Sequence, residues 1–235
     1  MKSSPFSISN RRLKKTIADL LKGDDLTSAL DTIGRFPPRR AVNPLFSLLL
    51  HPSELLRWRA VTAMGAVVDL LAQSNLESAR VVMRRMLWML NDESGGIGWG
   101  IPEAMGETMA RNATLASEYA RMLISYCQPA GNYLEHPVLQ RGVVWGLGRL
   151  AHARPAAAKG GGGLLLPYLH SPDAVLRGTA VWAAGAFPDG QLRDLLWILT
   201  RDSADLRIYL DQQLHDRTVA DLAREALRID ETKRR

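Results

Sequence analysis

Cysteine is almost missing from this sequence. Cys127 is the only one in 235 residues, which excludes an intramolecular disulfide framework and any zinc site built on cysteine pairs. Long apolar runs are missing as well: nothing approaches the roughly 18 residues of a membrane span. The opening residues, MKSSPFSISNRRLKK, hold no apolar segment of a secretory signal. Runs of alternating Val, Ile and Thr bounded by Asn-Gly or Asp-Gly do not occur, so the sequence carries none of the usual marks of a sheet. Catalytic signatures are lacking too. There is no Gly-x-Ser-x-Gly and no His-Glu-x-x-His. The glycines at 160–163 are followed by no Lys-Ser or Lys-Thr, and Gly95, Gly96, Gly98 and Gly100 lack the third glycine of a dinucleotide fingerprint. No catalytic residue, cofactor site or metal site is expected. The chain reads as soluble and cytoplasmic, without membrane association.

Charge is plentiful but uneven. Lys and Arg number 30 against 24 Asp and Glu, and residues 1–90 hold 14 of the bases and only 7 of the acids. Arg11, Arg12, Lys14, Lys15, Arg39 and Arg40 concentrate this excess, making nucleic acid a possible partner, although a merely solvated helical surface has the same composition.

What the sequence does have is a repeat. Segments 57–66, 98–107, 140–149 and 177–186 superpose as RWRAVTAMGA, GWGIPEAMGE, QRGVVWGLGR and RGTAVWAAGA. Their shared glycines, Gly65, Gly106, Gly148 and Gly185, are separated by 41, 42 and 37 residues. A turn signal precedes each segment: His51-Pro52, Asn91-Asp92, His136-Pro137 and Ser171-Pro172. An apolar helical stretch lies before each turn, so every unit reads as helix, turn, helix, with Pro52, Pro137 and Pro172 suited to a first turn where a missing N–H costs nothing. A further unit is predicted from residues 192–200 and 204–214, a closing helix at 218–229, and a leading helix pair at 11–21 and 26–33.

A period near 40 built from helix pairs resembles the HEAT-like repeat family. The resemblance rests on Leu56-Arg57, Leu176-Arg177 and Leu206-Arg207 after the turns and on the Ala/Gly-rich second helices. It implies an all-α, right-handed α-α superhelix of about five helix-pair repeats with terminal capping helices. The whole chain, 1–235, is then one domain: capping helices at 1–40, repeats at 41–215, and a C-terminal helix with a basic tail at 216–235.

Aligned on the repeat glycine, each second helix shows three faces. Four and five residues before the glycine lie core positions such as Val61, Ile101, Val144 and Val181. Two and six before it lie mostly small residues, among them Ala104, Gly142 and Gly146, which allow close helix approach. Seven and three before the glycine, and one after it, a third ridge carries Trp58, then Trp99, Glu103 and Glu107, then Arg141, Trp145 and Arg149, then Trp182. On the concave side of a solenoid these residues would line a groove for a protein partner, with Glu103 or Glu107 pairing with Arg141 or Arg149 of the next repeat. As inter-helix packing with an ion-pair ladder they would have no such role. Trp88 and Trp197, on first helices among Met and Leu, are assigned to core packing. His51, His136 and His170 occupy equivalent turns too far apart to share a metal ion, and Cys127 reads as a buried structural thiol.

The ridge is also similar to the groove of the HEAT-like alkylpurine DNA glycosylases. That resemblance implies Trp99 and Glu103 as the aromatic and carboxylate pair, Arg141 or Arg149 facing phosphate, and Trp182 or Trp145 as the second aromatic wall. The main expectation is a non-catalytic scaffold or interaction module. The alternatives are a glycosylase of this kind or a basic nucleic-acid-binding protein.

Overall fold

A computed structural model describes residues 9–91 and 98–233. Asp92, Gly95 and Gly96, singled out above, lie outside the described residues, as do Arg234 and Arg235 of the basic tail. The helices pair along the chain: α1 (Asn10–Lys22) with α2 (Leu26–Gly34), α3 (Pro38–Leu48) with α4 (Glu54–Ser74), and α5 (Leu76–Leu90) with α6 (Ile101–Arg111). Then come α7 (Ala113–Ser125) with α8 (Pro137–Ala153), the single turn α9 (Leu166–Leu169) with α10 (Ala174–Ala184), and α11 (Gly190–Leu199) with α12 (Val219–Lys233).

Polar residues set the helix starts. The side chains of Ser9, Asp25, Ser53, Asn75, Asn112, Asp173 and Asp189 each accept a hydrogen bond from a backbone N–H in the first turn of the following helix. Asn75 and Asn112 also close the preceding helix, so a single residue makes the whole turn between α4 and α5 and between α6 and α7. Pro137 and Pro102 sit in the first turns of α8 and α6. Pro52 and Pro172 instead precede the caps Ser53 and Asp173, outside the helices. Pro102 therefore starts α6 and does not kink it.

The second helices form one row in which α2, α4, α6, α8, α10 and α12 each pack on the next. The repeat glycines are the reason. A Cβ on Gly65 would lie 2.6 Å from Glu107 Cγ, on Gly106 2.4 Å from Gly146 Cα, on Gly148 2.8 Å from Ala183 Cβ, and on Gly185 2.8 Å from Ala226 Cβ. Each glycine thus admits the neighbouring second helix to near backbone contact. One hydrophobic cluster runs through the array from Leu13 to Leu227.

Two expectations are corrected here. Residues 204–214 do not form the second helix of a unit. They belong to a β-hairpin, β1 (Asp205–Leu210) and β2 (Gln213–Thr218), inserted between α11 and α12, and α12 takes the place in the row that was assigned to it. Leu206-Arg207 consequently lies on a strand. The turn residues Asp211 and Gln212 have φ of 47° and 65°, the left-handed pair of a two-residue hairpin loop, made without the glycine that normally signals it. The second correction concerns Trp88 and Trp197, which are 62% and 57% exposed. On α5 the inward face is filled by Val82, Met83, Met86 and Leu90, and on α11 by Leu192 and Leu196, leaving both tryptophans on the outer side.

The glycine contacts predict a graded response to added methyl groups. Gly106→Ala is expected to destabilise the chain by about 2 kcal/mol or more, because the obstacle is the backbone of α8 and not a movable side chain. Gly190→Ala, where the added carbon meets open space, is expected to be neutral or stabilising by a few tenths of a kcal/mol. Urea unfolding of the two variants checks this.

Candidate functional site

The sequence-predicted ridge divides into an aromatic half and a charged half. Trp58 on α4, Trp145 on α8 and Trp182 on α10 form a continuous aromatic line: the ring centroids of Trp58 and Trp145 are 4.8 Å apart, and those of Trp145 and Trp182 are 5.9 Å apart. The hairpin lies on this line. Tyr209 of β1 stacks on Trp58 at 5.0 Å with an 8° interplanar angle, its carbonyl accepts a 2.9 Å hydrogen bond from Trp145 Nε1, and its phenol oxygen is 3.0 Å from Thr62 Oγ1. Leu206 of the same strand sits over Gly178 of α10, where a Cβ would come within 2.5 Å of it. Trp145 and Tyr209 are buried, and burial pushes the Tyr209 phenol up to about 12. The groove expected to be open is thus filled, over Trp58 and Trp145, by the chain's own strand.

The charged half gathers round Glu107. Its side chain is only 5% exposed and accepts from Arg111 Nε on its own helix and from Arg149 Nε on α8, both at 2.6 Å. The α6 end that carries Arg111 is held by Arg154, which donates to the carbonyls of Met109, Ala110 and Arg111 at 3.0, 3.1 and 2.8 Å. Beside these ion pairs opens a cavity of about 440 Å³, lined by Glu107, Arg111, Arg149, His152 and Trp182 together with the hairpin turn and Glu225 of α12. His152 stacks on Trp182 at 5.0 Å, and its Nε2 lies 3.0 Å from the Trp182 carbonyl oxygen.

Three residues of the ridge lie elsewhere. Trp99 is 41% exposed and faces the His136 ring at 6.2 Å. Arg141 pairs with Asp173, the α10 cap, at 2.6 Å and with neither glutamate. Glu103 was expected to point into the groove. Its carboxylate instead turns onto α8, in the space left by Gly142, where a Cβ would lie 2.5 Å from Glu103 Oε2. Neither Trp99 nor Glu103 lines the cavity, so the pair that the glycosylase resemblance singles out stands apart from Arg149, Trp145 and Trp182. Conversely, sequence reading missed Arg111, His152 and Tyr209. The i, i+4 spacing of Glu107 and Arg111 is the signal for the first; the alternation of Leu206, Ile208 and Leu210 is the signal for the third.

The N-terminal cations are set out differently. Arg11, Arg12, Lys14 and Lys15 cover the exposed side of α1, whose Leu13, Ile17 and Leu21 turn inward. Arg39 hydrogen-bonds Ser78, and Arg40 reaches Asn10 at 3.5 Å. His51 and His136 accept turn N–H groups through Nδ1, at 3.0 and 3.2 Å. Cys127 is buried, and burial raises its thiol to about 12, so it stays protonated.

Glu103 generates a pH prediction. Although part of the side chain reaches the surface, Oε2 is sealed and has no hydrogen-bond partner among the described residues. Desolvation raises the carboxyl from 4.5 to about 7; its own backbone N–H and the charge of Arg57 pull it down less strongly. A folded-state value above the unfolded one means that the folded chain holds the proton longer. The contribution of this group to stability is therefore fully present below about pH 4.5, declines as pH rises toward 7, and levels off above it. The decline from this group is about 3 kcal/mol, and Glu103→Gln is expected to remove it. Urea midpoints at pH 4.5 and pH 8 for both proteins measure the difference.

No protein-family model matches the chain. An uncharacterised protein of Archaeoglobus fulgidus is 30% identical over 107 residues, which make up 46% of this chain and 52% of that one. The chain spans about half the length of this curated relative. Among solved structures, an engineered protein aligns over 94% of this chain and 96% of its own, with TM-score 0.54 and 15% identity. A designed armadillo repeat protein, solved in complex with the peptide (KR)4, aligns over 93% of this chain and 99% of its own, with TM-score 0.53 and 17% identity. At such identities the likeness concerns the fold alone. With its row of stacked second helices, the chain has the fold of a helical-repeat solenoid similar to that of the designed armadillo repeat protein.

Proposed function

We propose that this chain is a non-catalytic interaction module that holds an extended segment of a protein partner along its second-helix ridge, at the cavity beside Trp182. One observation carries the reading: the ridge already receives an extended polypeptide. Strand β1 is held through its main chain, by the Trp145 Nε1 bond to the Tyr209 carbonyl, as well as through its side chains. A tryptophan N–H aimed at a strand carbonyl reads backbone, and Leu206 over Gly178 and Tyr209 on Trp58 read side chains on either side of it. These are the elements of strand recognition by a rigid surface. Beyond the hairpin the ridge continues into a cavity whose aromatic and arginine walls have the make-up of a binding hot spot. The armadillo-type neighbour solved with a peptide supports a peptide as the first partner class to try.

Selection of a random peptide library on the immobilised full chain tests this. A recurring sequence family is expected, with affinity falling at least tenfold in Trp182→Ala and unchanged in Trp88→Ala, both checked for native helical circular dichroism. Failure to enrich any family, or equal loss in both variants, overturns the reading. Release of free base from methylated duplex DNA would replace it with a hydrolytic one.

A further inference from the structure

We propose that the cavity beside Trp182 is a carboxylate receptor: it takes an acidic side chain of the partner segment on the free ends of Arg111 and Arg149. This rests on the interaction-module reading and names the chemistry of its ligand.

The argument begins with how Glu107 uses its two arginines. Each guanidinium donates to it through Nε alone. Among the described residues no hydrogen bond is made by the terminal nitrogens of either group, and both side chains are about one-third exposed, at 29% and 31%, in the cavity wall. An arginine engaged at Nε keeps its outer N–H groups available in a fixed plane, the geometry that matches a carboxylate in two parallel hydrogen bonds. Glu107 is nearly inaccessible, so a ligand meets the arginines and not the glutamate. The Glu107 cluster therefore presents two cations around one buried anion, an excess of one positive charge at that side of the cavity, while the exposed acids Asp211 and Glu225 also belong to the lining.

The arrangement is also preorganised. Ordering a free arginine costs rotamer entropy, and here both side chains are ordered before any ligand arrives, one along α6 and one across the α6–α8 contact. Arg154 fixes the backbone under Arg111. Trp182, between Trp145 and His152, supplies a wall that excludes water from one side and strengthens the charge interaction.

The remaining acids of the lining decide between kinds of anion. Asp211 in the hairpin turn and Glu225 on α12 are exposed acids that also line the cavity. A nucleic-acid backbone, with a charge at every nucleotide, would run its neighbouring phosphates against them. A single carboxylate on an extended segment brings one charge near them and is met by the outer N–H groups of the two arginines.

Fluorescence polarisation with the full chain tests the assignment. The probes are fluorescein-labelled (Glu-Tyr)4 and its counterpart (Gln-Tyr)4, both amidated at the C-terminus so that only the first carries carboxylates on its peptide, and an eight-nucleotide single-stranded DNA. The acidic peptide is expected to bind, and the neutral one at least tenfold more weakly. Arg111→Gln and Arg149→Gln are each expected to weaken (Glu-Tyr)4 about tenfold. Glu225→Gln, at an exposed position where folding is not at stake, is expected to tighten it about threefold. Equal binding of the two peptides, unchanged affinity in folded arginine variants, or no response to Glu225→Gln overturns the proposal. So does tighter binding of the DNA that is lost in the same variants. If library selection yields binders with no acidic residue, the receptor assignment fails while the interaction reading stands; if it yields no binders at all, the reading itself has failed.

Discussion

Everything in this chain depends on how closely successive second helices approach. At Gly106 and Gly146 the backbones of α6 and α8 meet with no side chain between them, and similar contacts recur at Gly65, Gly148 and Gly185. A methyl group at these points would have to displace the neighbouring helix, so the repeat is fixed by what is missing at one position per unit. The close approach also sets the register. Residues at fixed offsets from each glycine must fall on a common line, which is why tryptophans from α4, α8 and α10 come within stacking distance although 124 residues separate the first from the last.

The same contacts create the charged centre. Glu107 follows the α6 glycine by one residue, and its Cγ occupies the space that Gly65 leaves on α4. Pressed there, the carboxylate loses most of its water and needs donors. Arg111 supplies one from the next turn of α6, and Arg149, one residue past the α8 glycine, supplies the other. Removing water from an ion costs several kcal/mol, which a loose surface pair does not repay; two short Nε bonds to a fixed carboxylate make the burial tolerable. Glu103, one turn earlier, is pressed against Gly142 in the same manner but finds no donor for Oε2, and it responds by holding its proton to higher pH.

The parts of the molecule governed by the glycine period were legible in the sequence. The helix pairs, the row of second helices and the Glu107–Arg149 contact all follow from offsets counted from Gly65, Gly106, Gly148 and Gly185. What lay outside that period was not. The hairpin breaks the helical pattern in 14 residues whose turn, Asp211-Gln212, adopts positive φ without the glycine or asparagine that would have announced it. Its strands are stabilised by a surface elsewhere in the chain: Tyr209 is held by Trp58, Thr62 and Trp145, from 151 to 64 residues away. Propensity within the segment does not encode such a partner. Trp88 and Trp197 were misplaced for a related reason, because an apolar composition on a helix does not say which residues face in when Met and Leu suffice to fill the inner face.

The hairpin gives the ridge its two characters. Three tryptophans in ring contact from α4, α8 and α10, left open, would form an apolar patch of the size that drives association with anything nearby. Strand β1 covers the Trp58 and Trp145 portion and makes it part of the interior, where Tyr209 is 2% exposed and Trp145 4%. It stops at the turn, and the ridge beyond it stays partly open because its floor is ionic: Arg111 and Arg149 require water or a ligand on their outer nitrogens, and an apolar strand laid over them would leave those donors unsatisfied. The boundary between the covered and the open ridge therefore coincides with the change from aromatic to charged side chains. The position of the cavity follows from the desolvation cost of two guanidinium groups as directly as the position of the strand follows from the tryptophans.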